Sequence, residues 1–359
     1  MRFLYVLLCL PISALANNLN LDININAYAE PVSIKAFTDD WDDTLKKGDK
    51  AFLQGRAEIS TKNQDRKLSI LWRYDYLLDF SEQTAQIYHA YKNNYLPITQ
   101  QDYPLFIKAK YSESYGVRWL QYQEFNKSLK FGFAINLLKG YKITDGQLEG
   151  NVNFKQQGFK VKDINNMQMD INYYYDEPQL KEEQLEWYPQ NPSALGFSVD
   201  AELDWQINPK THFLVQINDI YGRLYWQDIP TTQYNASCQC YKLTHNIEGQ
   251  LAIDDKYTQK LIINGNAKLN YQLKSNYQTE LRMFFNKSMA LWQGAFLYNI
   301  KNDWQLVFIT EPQTNSLGLE LKAKNIYLHY LADDLNINKA HRLGFGLGVS
   351  LSTTIFVSL

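Results

Sequence analysis

The stretch LGFSVDAELDWQI, residues 195–207, switches between two kinds of side chain at every step. Its odd positions are all apolar, namely Leu195, Phe197, Val199, Ala201, Leu203, Trp205 and Ile207. Its even positions are small or polar, and three of them are the acids Asp200, Glu202 and Asp204. Because successive side chains of a β-strand point to opposite faces, this period of two predicts a strand with an apolar environment on one side and a polar one on the other.

The same alternation recurs through most of the chain. It is clear in residues 68–79, 146–155, 166–175 and 261–273, and weaker runs fill much of the remaining sequence. Short polar groups separate many of these runs, among them Asn208-Pro209-Lys210 and Asp254-Asp255-Lys256, and such residues are typical of turns. We therefore expect an all-β fold of about 16–18 strands.

Two features favour a membrane-spanning barrel over a soluble sandwich. Many alternating runs reach about 12 residues, whereas strands of soluble sheets usually have about five or six and a tilted bilayer-spanning strand needs about 9–11. Aromatic side chains such as Trp72, Tyr173 and Trp205 lie near the ends of apolar faces, as at a membrane–water boundary. Since lipid offers backbone amides no partner, a spanning sheet must close on itself. We predict a single closed antiparallel transmembrane β-barrel with long loops, including residues 81–103 and 176–192, on one side.

The last 17 residues, 343–359, continue the pattern to the end of the sequence. An apolar row begins with Leu343, Phe345, Leu347 and Val349, and glycine and serine occupy the alternate positions. With this segment the chain resembles outer-membrane β-barrel proteins of Gram-negative bacteria, whose last strand most often ends in Phe or Trp; here it ends in Leu359. The resemblance implies a location in the cell outer membrane, contact with its lipid, and assembly by the barrel-insertion machinery with periplasmic chaperones.

A second, narrower resemblance rests on residues 194–200 followed by Asn208-Pro209-Lys210. This segment is similar to barrels of the long-chain fatty-acid transporter group and of the conjugal-transfer-associated group. The early Asn-Pro-Ala element of the fatty-acid transporters is missing, so no binding residue is carried over.

The N-terminal residues 1–16, MRFLYVLLCLPISALA, have the order of a secretory signal peptide. Arg2 precedes an apolar run, and small residues close the segment at Ala14 and Ala16. Cleavage after Ala16 leaves residues 17–359 as the barrel. Export exposes Cys238 and Cys240 to oxidising conditions, in which they are candidates for a disulfide bond.

Composition and motifs narrow the function classes. The chain has 36 Lys and Arg against 38 Asp and Glu, so no basic face for nucleic acid is expected. A mean hydropathy of −0.42 is too polar for a bundle of membrane helices. The sequence holds no Walker loop, no Gly-x-Ser-x-Gly and no His-Glu-x-x-His. We expect no enzyme, no cofactor and no metal, and interpret the acids of residues 39–43 as a solvated loop.

The polar strand faces carry charges that we expect to line the lumen. They are Arg73, Asp75, Arg118, Asp200, Glu202, Asp204, Arg223 and Arg282. Both signs occur, so ion pairs across the lumen are expected, and free acids there would favour cations. The main hypothesis is a passive channel or transporter for small or amphipathic solutes of unknown identity. The alternative is a non-transport barrel that serves as an assembly, adhesion or surface-scaffold component.

We predict that the mature protein fractionates with the outer membrane and resists extraction by carbonate, because its apolar strand faces need lipid. Cell fractionation followed by immunoblotting measures this. Recovery of the mature chain in the soluble periplasm would contradict the prediction.

Overall fold

The computed structural model describes residues 19–63, 65–93, 102–155, 164–180, 182–242, 244–300 and 303–351. The predicted signal peptide and the end of the chain after Leu351 lie outside the described residues. The strands are β1 (Leu19–Ala29), β2 (Lys50–Asn63), β3 (Arg66–Phe80), β4 (Asp102–Asn126), β5 (Leu129–Phe154), β6 (Ile164–Tyr175), β7 (Ser193–Asn208), β8 (Thr211–Gln239), β9 (Thr244–Lys260), β10 (Asn264–Lys274), β11 (Tyr277–Asn286), β12 (Ala290–Ile300), β13 (Trp304–Glu311), β14 (Ser316–Lys322), β15 (Ile326–Ala332) and β16 (Arg342–Leu351). The helices are α1 (Ile34–Thr38) and α2 (Glu82–Asn93), with 3-10 turns at Glu182–Leu185, Cys240–Lys242, Pro312–Thr314 and Ile337–Lys339.

The sheet closes on itself because β1 pairs with both β2 and β16. The described residues form 16 strands, which make a closed antiparallel barrel that is 14 strands around. The numbers differ because at two places in the ring two strands follow one another end to end. The second half of β5 pairs with β6 and its first half with β7. In the same way β9 and β10 follow one another along β8. The predicted all-β closed barrel is confirmed, and the ring has 14 strands rather than 16–18 because these interruptions do not add positions to it.

The two ends of the barrel differ in their connections. Both termini of the described chain and the two-residue turns 127–128, 209–210 and 275–276 lie at one end, here called the turn end. The longer connections, including residues 30–49 and the segment 81–93 with α2, lie at the other, here called the loop end. One predicted turn, Asp254-Asp255-Lys256, is wrong: these residues continue β9, which pairs with β8 through Lys256, and the actual break falls at residues 261–263.

The wall is tall on one side and short on the other. Strands β4, β5 and β8 have 25, 26 and 29 residues, whereas β13, β14 and β15 have 8, 7 and 7. The tall strands extend past the rest of the barrel at the loop end. There α2 packs Ile87 and Ala90 against an apolar cluster that contains Tyr103, Leu105 and Val152.

The barrel exposes its apolar rows and buries its polar ones, the reverse of a soluble protein. On β3, Ile70 is 54% exposed and the neighbouring Ser69 is 2% exposed. Such a surface suits lipid outside and a polar lumen inside, the arrangement of membrane-spanning β-barrels. Among the described residues, no helix combines the length and the apolar character needed to cross a membrane.

The last described strand follows the predicted facing. Leu347 and Val349 lie opposite Ile23 and Leu21 of β1 on the outer face, while Ser350 donates a hydrogen bond to Asn20 at 2.6 Å. The inward glycines leave room for large side chains of β15. A Cβ at Gly346 would lie 3.0 Å from the Tyr327 ring, a tight contact that a small shift of the ring would have to relieve, so glycine fits there best.

We predict that Leu347→Arg lowers the folded fraction, because a guanidinium on the lipid face near the bilayer centre costs about 2–4 kcal/mol. Ser350→Arg is the matched control, since it places the same group on the inner face. Heat-modifiable migration on gels measures the folded fraction. Equal fractions for the two variants would contradict the assigned facing.

Candidate functional site: the lumen

Arg118 of β4 is the centre of a charged network inside the barrel. Its side chain is 1% exposed, and its guanidinium donates to Asp200 at 3.1 Å and to Glu202 at 2.8 Å. Tyr122 donates to the second oxygen of Glu202 at 2.6 Å, and Asn136 donates to Asp200 at 3.0 Å. Two acids of the stretch 195–207 are therefore ion-paired with one arginine rather than free in the lumen.

A second ion pair crosses the lumen. Arg73 of β3 donates through both terminal nitrogens to Asp219 of β8, at 2.8 and 2.6 Å, although β4, β5 and β7 lie between these strands in the ring. Arg73 also donates to Asp75 of its own strand at 2.8 Å. The Asp219 amide in turn donates to Asp200 at 3.0 Å. This bond joins the two groups of charges into a single network.

Asp219 takes up this position because β8 bulges there. Its φ of 56° lies in the left-handed region, which aspartate tolerates better than most residues. The register between β7 and β8 shifts at the same point, between Val199 and Ala201. The bulge turns both Asn218 and Asp219 inward, where they are 8% and 1% exposed.

Further ion pairs line the opposite wall. Arg282 donates to Glu320 at 2.8 Å and contacts Glu280, and Lys322 lies 2.6 Å from the same Glu320. Arg342 donates to Glu311 at 2.7 and 3.1 Å. Charges of both signs thus form ion pairs around the lumen.

The structure places seven of the eight predicted lumen charges on the inner face. Asp204 is the most exposed of the three acids of β7, with 44% of its side chain accessible, and lies 2.7 Å from His212. Arg223 is the exception, because it lies opposite the outward Phe197 and contacts the exposed Tyr221. The prediction failed there since the neighbouring apolar residues, Leu224 and Trp226, point into the lumen and not to lipid.

A cavity of about 530 Å³, here called the chamber, occupies the lumen between these networks. Its lining is mainly polar and includes Asn24, Arg56, Lys268 and Tyr327. It reaches towards the turn end, since Lys67 and Tyr327, the second residues of β3 and β15, contribute to it. The chamber has the volume of a small-molecule site.

An apolar layer lies next to the chamber on its loop-end side. It is formed by Phe52, Leu77, Ile262, Phe284 and Leu291, and the rings of Phe52 and Phe284 stack at 5.3 Å. Along β3 the inward residues change from Arg73 and Asp75 to Leu77, and along β11 they change from Arg282 to Phe284. A solute crossing the lumen would therefore meet a charged layer and an apolar layer in turn.

Residues outside the lumen have structural contacts. Cys238 and Cys240 are joined by a disulfide bond. In the acidic loop Asp40 lies 3.4 Å from Lys92, and backbone amides of Ser33 and Thr44 donate to Asp43. Partial burial opposes ionisation of Asp43, but these hydrogen bonds prevail and lower its pKa. Across the described ranges, no group of three His, Cys, Asp or Glu side chains is placed to hold a metal ion.

Several lumen charges were missed by the sequence reasoning. Glu320 was detectable, because it alternates with Leu317, Leu319 and Leu321 in the run 316–322. Asp219 was not, because the alternation breaks at its bulge. Its pairing with Arg73 depends on the closure of the barrel, which brings together residues 146 positions apart.

The known proteins that resemble this chain do so in structure and at low sequence identity. No protein-family model matches the chain, and no curated protein matches it. Among solved structures, the chain is similar to the CymD monoaromatic hydrocarbon channel, with 8% identity, coverage of 95% of this chain and 90% of that one, and a TM-score of 0.41. It is also similar to the Pseudomonas putida toluene transporter TodX, at 7% identity, coverage of 93% and 87%, and a TM-score of 0.40. The Escherichia coli outer membrane protease OmpT matches at 7% identity, coverage of 93% and 94%, and a TM-score of 0.25. Similarity at this level does not transfer a ligand or an activity to this chain.

We predict that Asp219→Asn destabilises the folded barrel by about 3 kcal/mol or more, because it removes one partner of a buried ion pair. Asp204→Asn is the control on the same inner face, and its half-exposed pair should contribute less than about 1 kcal/mol. Guanidinium unfolding in detergent, followed by tryptophan fluorescence, measures both. Equal losses of unfolding free energy in the two variants would show that the buried crossing pair stabilises the barrel no more than the half-exposed pair does.

Proposed function

We propose that this protein is an outer-membrane channel that moves small amphipathic solutes passively. The observation that carries the proposal is the chamber, because some 530 Å³ of the lumen is left unfilled between paired charges. The adjacent apolar layer of Phe52, Leu77 and Phe284 would contact the apolar part of such a solute. The crossing pair of Arg73 and Asp219 narrows the lumen, which favours small solutes over large ones.

The proposal also covers location and assembly. A closed barrel with an apolar outer surface needs a bilayer, and the predicted export signal at residues 1–16 directs the chain out of the cytoplasm. The cell outer membrane is the location that fits both. Insertion would then involve the barrel-insertion machinery, periplasmic chaperones and outer-membrane lipid. That the protein has no catalytic activity and no cofactor stays a prediction.

A second candidate function is a non-transport barrel with a filled lumen. The observation in its favour is a second inward apolar cluster, which joins strands that are not neighbours in the ring and includes Leu71 of β3, Leu138 of β5 and Trp226 of β8. Side chains that meet across the lumen strengthen a wall without leaving a path. The two functions therefore differ in whether the apolar side chains leave a continuous route.

We predict that the wild-type barrel conducts ions in a planar bilayer and that Phe284→Ala raises the conductance. The substitution removes one ring of the stacked pair in the apolar layer and widens the route there. The matched control is Phe308→Ala, which truncates an outer-face side chain that is 52% exposed.

The outcomes separate the two functions. A correctly folded wild type and Phe284→Ala variant that both stay silent would favour the scaffold. Conductance that rises equally in the Phe308→Ala control would show that the change acts on the barrel in general and not on the apolar layer.

A further inference from the structure

We propose that the outer face of the barrel binds the phosphate group of a lipid headgroup at a row of four cations. The row consists of Lys139 of β5, Arg223 of β8, and Lys256 and Lys260 of β9, and is here called the basic rim. It is independent of the lumen, and so it stands whether or not the barrel conducts.

The basic rim lies where the apolar outer surface ends. On β5 the outward residues towards the loop end are Phe133, Ile135 and Leu137, followed by Lys139. On β8 they pass from Val215 and Ile217 through Tyr221 to Arg223. The place in the ring beside β8 shows the same change towards the loop end. There β10 presents Leu269 and Ala267 outward, and β9 then presents Lys260.

The strand register brings the four cations together. Arg223 lies directly opposite Lys260, and Lys256 is four residues further along the same face of β9. Lys139 is separated from β8 only by β7, where Leu195 pairs with both Lys139 and Tyr225. Because neighbouring strands are about 4.8 Å apart, β5 and β8 are about 10 Å apart across β7. A single headgroup over β7 can therefore be contacted by Lys139 from β5 and by Arg223 from β8.

The cations of the basic rim lack anionic partners. Among the residues that the structure describes, none of the four forms an ion pair. Arg223 is held in place by Tyr221, because its Nε donates to the tyrosine hydroxyl at 2.8 Å and its guanidinium lies 5.1 Å from the ring centre. Its terminal nitrogens make no hydrogen bond to described protein atoms, so they are free to donate to a ligand.

The surroundings select a lipid headgroup over free phosphate. A cation at the edge of an apolar surface lies at headgroup depth, where anionic groups attract each basic side chain. Guanidinium and ammonium groups both donate to phosphate oxygens. Leu195 and Phe197 lie beside the cations on the outer face and are 71% and 36% exposed, so they can contact the acyl chains of the same molecule.

The test is isothermal titration calorimetry of the full mature protein, folded in detergent micelles, with dihexanoyl phosphatidic acid as the probe. The test variant carries Arg223→Gln and Lys260→Gln. The control carries Lys127→Gln and Lys210→Gln, which remove two cations from the turn end and leave the same net charge. Heat-modifiable migration verifies that each variant is folded.

We expect the Arg223→Gln, Lys260→Gln variant to bind the probe about twenty-fivefold more weakly, because each basic side chain near an anionic headgroup contributes about fivefold. The turn-end control should bind as the wild type does. If the test variant fails to fold, Lys139→Gln with Lys256→Gln replaces it, and a loss of affinity is again expected. Equal affinity of wild type and rim variants would overturn the proposal.

A second probe separates the two sources of phosphate. Inorganic phosphate at the same concentrations should bind at least tenfold more weakly than dihexanoyl phosphatidic acid, because it lacks the chains that contact Leu195 and Phe197. Equal affinity for both probes would overturn the assignment of a lipid and leave a site for free phosphate.

Discussion

Every backbone amide that faces the bilayer needs a partner in a neighbouring strand, because hydrocarbon offers none. The pairing of β1 with β16 meets this requirement, since it removes the two edges that an open sheet would have. Closure then fixes which face of each strand is outside. The alternation of residues 195–207, the glycine row of β16 and the inward charges of β3 are all consequences of that single constraint.

Closure also brings distant parts of the chain into one polar interior. Arg73 and Arg118 hold Asp219, Asp200 and Glu202 in largely buried ion pairs, so each carboxylate depends on its arginine. The Asp219 amide completes the network by donating to Asp200. The ion pair of Arg73 and Asp219 therefore crosses one part of the lumen, and the chamber lies beside it.

Much of this architecture follows from the sequence, and the failures have physical reasons. The alternation of apolar and polar residues correctly predicted the fold class. It also predicted which face of the wall carries Arg73, Asp200 and Leu347, since each lies in an uninterrupted alternating run. It was insufficient for Arg223, because Leu224 and Trp226 are apolar residues of the interior and reversed the apparent faces. The ring size was overestimated because β6 with β7, and β9 with β10, look like separate strands in a linear pattern.

The short wall formed by β13, β14 and β15 has a consequence for the membrane around the protein. Strands of 7–8 residues tilted by about 40° cover only about 19 Å along the bilayer normal, whereas barrels of this kind usually present an apolar band about 25 Å tall. Such a hydrophobic mismatch is relieved by local thinning of the lipid or by tilting of the whole barrel. The mismatch thus falls on one flank of the molecule, the flank opposite the tall strands β4, β5 and β8.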